Sequence, residues 1–351
     1  MLFKKGNGKK LALIAAILVL AMLAVGCGGN GDAPVAAENG EDGGFIERQL
    51  QFGHVRPDGT STDTDSKFFT EYVTANTDGK TTFEIYPNSQ LGDYSTVQER
   101  LGIGDVDMQL APAAPNVNAA IVLPSAPYLA SNWDEAKEVF GRGSVLYEEM
   151  GKMFEEENIK MLAGYPKYFG SIITTKMPEA PGDPDVTKGV VLRVPGIRSF
   201  ELTALALGYQ ASPIAFSEAF TAIQTGTVDG AIGSGGEGYY NSFRDVVDYY
   251  LPVNSQFEIW WIQMSMEAWN SLTEEEKAIF EEAAERFESE RWEQAPGEEA
   301  EYERLLEEHG AEIIEFTDEE LQAMADKVRA EVWPEIEDEY GAELFRTVTG
   351  Q

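Results

Sequence analysis

The stretch from Val190 to Gly230 alternates strand, helix, strand and helix, and this rhythm confines the chain to an α/β architecture. VVLRV at 190–194 is rich in branched residues and is ended by Pro195, which cannot continue a ladder and biases the residue before it towards extended geometry. A helix from about Ser199 to Gly208 follows, then an extended piece with Pro213 and Phe216, a helix opened by Ser217 or Glu218, and a turn at Gly226–Gly230. Arg193 lies inside the first apolar strand. Its guanidinium cannot shed its charge, so a buried position demands an acceptor, and the planar fork suits a carboxylate. That carboxylate belongs either to a structural Asp or Glu or to a ligand, and the strand alone leaves both open.

The same βαβ rhythm recurs nearer the amino end. QLQFGHV at 49–55 reads as a strand whose end delivers His54 and Arg56 to a loop closed by Pro57-Asp58-Gly59, the place where an α/β sheet puts its ligand contacts. Helical spacing of Phe68, Phe69, Tyr72 and Val73, alternation through Thr82–Tyr86, a short helix from Tyr94 and a strand at Asp105–Leu110 continue it. Ser131 with Asp134 reads as a capping box for a helix to Phe140. GYPKYFG at 164–170 sets Tyr165, Tyr168 and Phe169 between glycines, where they either line a cleft or pack a domain boundary. AIGSGGEGYYNSF after Gly230 reads as a glycine-rich loop. Without a P-loop ending or GxGxxG spacing it suits close approach of backbone to a small ligand from Gly233 through Glu237 to Tyr239, or a plain turn, better than a nucleotide. Capping boxes at Thr273 with Glu276 and at Thr317 with Glu320 open two long helices, the first expected to break or bend near Pro296-Gly297 and resume to His309.

At the amino terminus, Lys4, Lys5, Lys9 and Lys10 precede an apolar run from Leu11 to Val25 that ends in LAVGC. This is the order of an export signal, too short for a comfortable membrane span. The chain has 1 cysteine, Cys27, so no internal disulfide or thiol pair is available to it, and lipid attachment is its most economical use. Residues 1–26 are therefore expected to be a signal peptide, and 27–45 a lipidated start and flexible acidic linker. The formal charge is -35, and loss of the signal lysines makes it more negative still. Such a field repels nucleic acid and anionic lipid heads, and an anionic ligand needs a local cation to overcome it.

Catalytic chemistry leaves little trace. The chain has 2 histidines, His54 and His309, the second placed as a helix C-terminal cap, and it lacks GxSxG, HExxH, EF-hand and cysteine-cluster patterns. No cofactor or metal is expected, and an enzyme is the weaker alternative.

Taken in order, YPNSQLGD and IGDVDM, then LRVP, GYQASPIAFSEAF and AIQTGTVDG, resemble the substrate-binding subunit, of the DctP type, of the tripartite ATP-independent periplasmic (TRAP) transporters, from about Gln49 onward. The resemblance implies a two-domain periplasmic-binding-protein-like α/β fold with a ligand cleft and with strands and helices crossing between domains. The expected limits are 46–167 with 255–296 for domain I and 168–254 with 297–351 for domain II. It implies an extracytoplasmic receptor that captures a small organic acid and delivers it to membrane permease subunits, and the separate resemblance of LAVGC to a bacterial lipobox implies lipid anchoring through Cys27. The alternative in another class is a membrane-anchored enzyme acting on a small carboxylic acid. Arg193 matches the family's carboxylate-clamping arginine and Phe216 an aromatic position of its pocket. His54, Arg56, Tyr168, Phe169, Gly233, Glu237 and Tyr239 complete the expected site. The chain departs from the family where Ala231-Ile232-Gly233 replaces a QEN segment and Tyr168-Phe169-Gly170 replaces an arginine neighbourhood. Loss of an amide and a cation points away from a heavily hydroxylated sugar acid and towards a smaller or partly apolar monocarboxylate, with aromatic and keto acids both open.

Overall fold

The computed structural model describes residues 44–350 apart from Val117. The expected export signal, Cys27 and the linker as far as residue 43 lie outside the described residues. From the amino end the elements are β1 (Arg48–His54), α1 (Ser61–Asn76), β2 (Thr81–Tyr86), α2 (Tyr94–Gly102), β3 (Met108–Ala111), a 3-10 turn at Ala119–Ser125, α3 (Trp133–Phe140), α4 (Val145–Glu156) and β4 (Ile159–Phe169). The chain continues through β5 (Ser171–Thr174), β6 (Val191–Val194), α5 (Arg198–Ala206), β7 (Gln210–Pro213), α6 (Phe216–Gln224), β8 (Gly230–Ser234), α7 (Gly236–Phe243) and β9 (Tyr249–Leu251). It ends with β10 (Phe257–Ser265), α8 (Met266–Asn270), α9 (Glu274–His309), β11 (Glu312–Ile313), α10 (Asp318–Ile336) and α11 (Ala342–Thr349).

These strands form two mixed sheets, ordered β2-β1-β3-β10-β4 and β11-β9-β5-β8-β6-β7. In the first, β1 runs parallel to β2 and β3, and β10 is antiparallel to β3 and β4. In the second, β6 runs parallel to β7 and β8, whereas β5 is antiparallel to β8 and β9. Because helices cover both faces, β10 reads as the unbroken buried run FEIWWIQMS rather than as an alternating strand. Phe69 of α1, fully buried, meets Phe52 of β1 and Phe280 and Phe287 of α9 edge-on at 6.1 to 6.3 Å, which fastens both helices to the first sheet. The second sheet packs Leu192, Val194 and Ile232 with Phe200 of α5 and with Met324, Val328 and Val332 of α10. The chain passes from the first sheet to the second across Gly170 and returns between Leu251 and Phe257.

The first six residues of GYPKYFG finish the long strand β4. Three local expectations are corrected. AIGSGGEGYYNSF is no flexible loop: it comprises most of β8 and the whole of α7. Its glycines serve close packing, since a Cβ on Gly235 would lie 2.6 Å from the Tyr168 ring and one on Gly238 would lie 2.5 Å from Arg56 Nη2. The cap of α3 lies one residue later than expected. Asn132 Oδ1 accepts from Glu135 N at 2.9 Å, and the Glu135 carboxylate accepts from Ser131 N at 2.9 Å. Finally, α9 is not interrupted at Pro296-Gly297. Arg291 donates to both oxygens of Glu298 at 2.8 Å, an ionic clasp two turns long that spans the proline's missing N–H. Both long-helix capping boxes, at Thr273 with Glu276 and Thr317 with Glu320, are formed.

Candidate functional site

Parallel strands deliver their carboxyl ends to one side of a sheet, and here four of them converge. Val55 and Arg56 follow β1, Pro112 and Ala113 follow β3, Arg193 and Pro195 stand at the end of β6, and Gly233 and Ser234 at the end of β8, all lining one cavity with the start of β10. The cavity offers about 60 Å³ to the centres of water-sized molecules, within about 640 Å³ of atom-free space that includes its mouth. The smaller figure corresponds to roughly four to six waters. Ile121, Val122, Ile197, Phe200, Phe257 and Ile259 make much of its wall apolar.

Arg193 is 5% exposed. Its Nε donates to the Ile214 carbonyl at 2.8 Å, and its guanidinium carbon lies 5.8 Å from the centre of the Phe216 ring. Among the described residues no carboxylate pairs with it. The groups that act on its charge are the Tyr94 and Tyr239 hydroxyls, Asp93 and Arg56, and burial is the main influence, lowering its ordinary value. The strand that made Arg193 conspicuous therefore presents a buried cation to the cavity with its terminal nitrogens unclaimed by a protein carboxylate.

Arg56 is held in a different way. Its guanidinium is sandwiched between the rings of Phe216, at 4.7 Å, and Trp260, at 4.8 Å, while Nη2 donates to the Tyr168 hydroxyl at 2.8 Å. Glu237 Oε2 stands 3.5 Å from Arg56 Nε and 3.1 Å from Lys167 Nζ. Burial alone would raise the Glu237 carboxyl, but the charges of Lys167 and Arg56 outweigh it and hold it at about 2. Burial pushes the Lys167 ammonium down to about 8. Arg56, Lys167 and Glu237 thus form a buried ionic cluster, with Arg56 on the cavity wall and the other two behind it, linking the loop after β1 and strand β4 to α7.

Sequence reasoning passed over Glu258, although it is marked by the same signal as Arg193, a charge inside an apolar strand. It lines the cavity, is 8% exposed, and accepts a hydrogen bond from the Trp260 indole. Burial pushes its carboxyl up to about 7 against the pull of that indole and of the Arg56, Lys167 and Arg193 charges. Tyr94, Ser125 and Trp261 also line the cavity without having been singled out. Tyr94 and Ser125 reach it from a helix start and a 3-10 turn, positions that no local pattern distinguishes.

Of the expected site residues, Arg193, Phe216, Arg56 and Gly233 line this cavity together, whereas His54, Tyr168, Phe169, Glu237 and Tyr239 do not. Each of those five is occupied within the protein. His54 Nε2 lies 3.3 Å from Asp63, with burial lowering its pKa. The Tyr239 hydroxyl donates to the Ser171 carbonyl at 2.8 Å. Phe169 packs edge-on against Trp133 and Phe257 at 5.8 and 5.3 Å. Tyr168 and Glu237 hold Arg56 in place. The other histidine, His309, stands 3.0 Å from Asp245 on an exposed surface. Among the described residues no group of three or more His, Cys, Asp or Glu side chains is arranged to hold a metal ion, and no helix is long and apolar enough to cross a membrane.

Comparison with known proteins agrees with this geometry. Residues 52–339 match the family described as bacterial extracellular solute-binding protein, family 7. An uncharacterized protein of Haemophilus influenzae is 29% identical over 277 residues, 77% of this chain and 81% of that one. A solute-binding protein of Roseobacter denitrificans is 26% identical over 247 residues, 70% of this chain and 75% of its own. The crystal structure of a TRAP periplasmic solute-binding protein from Haemophilus influenzae RdAW with bound L-gulonate superposes with a TM-score of 0.78 at 26% identity, covering 86% of this chain and 99% of that chain. With a matching family model across most of its length, a two-sheet α/β fold and a cavity at the strand ends, the chain belongs to the family 7 extracellular solute-binding proteins, as a substrate-binding subunit of a TRAP transporter.

Proposed function

We propose that this receptor captures a small monocarboxylate with a partly apolar body, aromatic or keto acids included, and presents it to its membrane permease. The observation that carries the reading is Arg193, a buried guanidinium on the cavity that no described carboxylate neutralises. In this reading Arg193 clamps the ligand carboxylate. Phe216, stacked on Arg56, covers the ligand, and the Ile121, Ile197 and Phe200 wall takes its apolar end. L-gulonate in the Haemophilus structure is itself a monocarboxylate, which supports the carboxylate half of the proposal. The wall of this cavity supports the apolar half, because each ligand hydroxyl buried against it would lose water without gaining a partner.

We further propose that the two sheets are the cores of two domains with the limits 46–167 plus 255–296 and 168–254 plus 297–351, and that Cys27 is acylated after removal of residues 1–26. Cys27→Ser should release the protein from membranes. Ligand identity is tested by native mass spectrometry of freshly purified protein, extraction of the bound molecule, and calorimetry with L-gulonate, 3-methyl-2-oxobutanoate and phenylpyruvate. A released acid of unchanged mass and tighter binding of either oxo acid support the proposal. Tightest binding of L-gulonate would overturn the apolar half, and turnover of the captured acid would restore the enzyme alternative.

A further inference from the structure

We propose that Glu258 is a specificity-determining residue: its free oxygen accepts a hydrogen bond from a hydroxyl on the carbon beside the ligand carboxylate, so the receptor selects a 2-hydroxy acid over the matching 2-oxo acid. The inference deepens the monocarboxylate reading and rests on Arg193 as the seat of the ligand carboxylate.

Three polar side chains on the cavity wall keep atoms open to it. Arg193 commits only Nε, to the Ile214 carbonyl, and among the described residues its two terminal nitrogens are neither hydrogen-bonded nor sealed in the interior. Glu258 accepts the Trp260 indole through Oε1, and Oε2 has no hydrogen-bond partner among the described residues. Oε2 is not sealed in the interior either, so it opens on the cavity that the residue lines. The Tyr94 hydroxyl is open in the same way. Arg193 and Glu258 stand close enough for the charge of one to act on the other, in a cavity with room for roughly four to six waters. An acid whose carboxylate sits on Arg193 therefore brings its second carbon, and any oxygen on it, towards Glu258.

What Glu258 can do there follows from the charges around it. Arg56, Lys167 and Arg193 are three buried cations, and Glu237 and Glu258 are two buried carboxylates. One cation is in excess until a ligand carboxylate arrives, and three charges of each sign then face each other with Glu258 still ionised. An ionised carboxylate accepts hydrogen bonds and donates none. A 2-hydroxyl supplies it with a donor, in a charge-assisted bond. A 2-oxo oxygen instead sets lone pair against lone pair and leaves two acceptors without a donor where water is displaced. Tyr94 does not discriminate, because its hydroxyl turns to donate or to accept. Further hydroxyls along the ligand would meet Ile121, Ile197 and Phe200 and lose water without gaining a partner, so the selection is for one hydroxyl and an apolar tail.

The test is calorimetry of the full chain at pH 8, above the value of about 7 to which burial raises Glu258. Two sets of ligands share a carbon skeleton within each set: 2-hydroxy-3-methylbutanoate, 3-methyl-2-oxobutanoate and 3-methylbutanoate, then phenyllactate, phenylpyruvate and 3-phenylpropanoate, with each hydroxy acid supplied as separate enantiomers. In the tighter-binding set, one enantiomer of the hydroxy acid should bind about 10- to 100-fold more tightly than both its oxo and its deoxy counterparts. In Glu258→Gln the Trp260 indole holds the amide oxygen and the amide NH₂ faces the ligand, so the hydroxy-to-oxo ratio should fall to about one or reverse. Both ligands are monoanions, so the lost charge cancels from that ratio, and a merely structural role would weaken both alike. A wild-type ratio of one or below, or a ratio unchanged in Glu258→Gln, overturns the inference and leaves the monocarboxylate reading standing. If the variant does not fold, the wild-type ratio decides alone. If no acid of either set binds, the monocarboxylate reading fails and this inference fails with it.

Discussion

Replacing Arg193 by alanine separates binding from folding more sharply than any other change to the cavity. In the ligand-free protein the side chain makes one hydrogen bond, from Nε to the Ile214 carbonyl at 2.8 Å, and lies 5.8 Å from the Phe216 ring centre, near the outer limit of a useful cation–π contact. The hydrogen bond is worth about 1.5–3 kcal/mol when its donor is charged. Ile214 is only partly buried, so water can reclaim its carbonyl. Against that loss stands relief from holding a guanidinium at 5% exposure without a carboxylate, a penalty of several kcal/mol in its own right. The two nearly cancel, so apo stability should move by about 1 kcal/mol in either direction, a melting shift of roughly 2–4 °C. Binding has no such compensation. A ligand carboxylate left without its buried partner loses about 2–5 kcal/mol, or roughly 30- to 4,000-fold in Kd. Arg193→Lys keeps the charge but loses both the fork and the Nε anchor, and should still weaken binding about tenfold. Calorimetry with the extracted ligand and ligand-free thermal melts measure the two quantities separately. Native affinity combined with a melting temperature lowered by far more than a few degrees would refute the reasoning, because that is the pattern of a structural ion pair.

Two further predictions concern the frame around the cavity. Glu237→Gln strands the buried charges of Arg56 and Lys167 and should destabilise the fold by about 3–5 kcal/mol at pH 7 in urea unfolding. Because the folded pKa of Glu237 is depressed to about 2, its contribution is complete above the unfolded value near 4.5 and is lost as pH falls through about 2, so wild type and variant should converge in acid. Equal stability at pH 7 would show the cluster to be neutral. For the glycines, Gly235→Ala drives a methyl to 2.6 Å from the Tyr168 ring and 2.7 Å from the Phe169 carbonyl, and should cost about 1–3 kcal/mol. Gly297→Ala, inside α9 with nothing within 4 Å, should instead stabilise by about 0.5–1 kcal/mol, and thermal melts that fail to separate the two variants would refute the packing role assigned to Gly235.

Much of this protein was legible in the residue order because the signals are local. Periodicity and turn residues marked both βαβ runs, and the Thr273 and Thr317 capping boxes marked the starts of α9 and α10 to the residue. A cation in VVLRV marked Arg193 as a residue in need of an acceptor, because burying a charge is costly whatever surrounds it. What tertiary structure alone decided is which side chains face the cavity. Arg56 and Glu237 look equivalent as charged residues near glycines, yet one lines the cavity and the other sits behind it, because Glu237 neutralises Arg56 and Lys167 across the packing of α7 on the first-sheet side. Glycines that read as a mobile loop proved to be contact points for Tyr168 and Arg56, since a close approach between segments leaves no trace in the spacing of either one. Glu258 carried a local signal equal to that of Arg193. Its consequence, a carboxyl raised to about 7 beside a cation without a protein carboxylate, exists only where β10, β4, β6 and the loop after β1 meet, because desolvation and charge act through space and not along the chain.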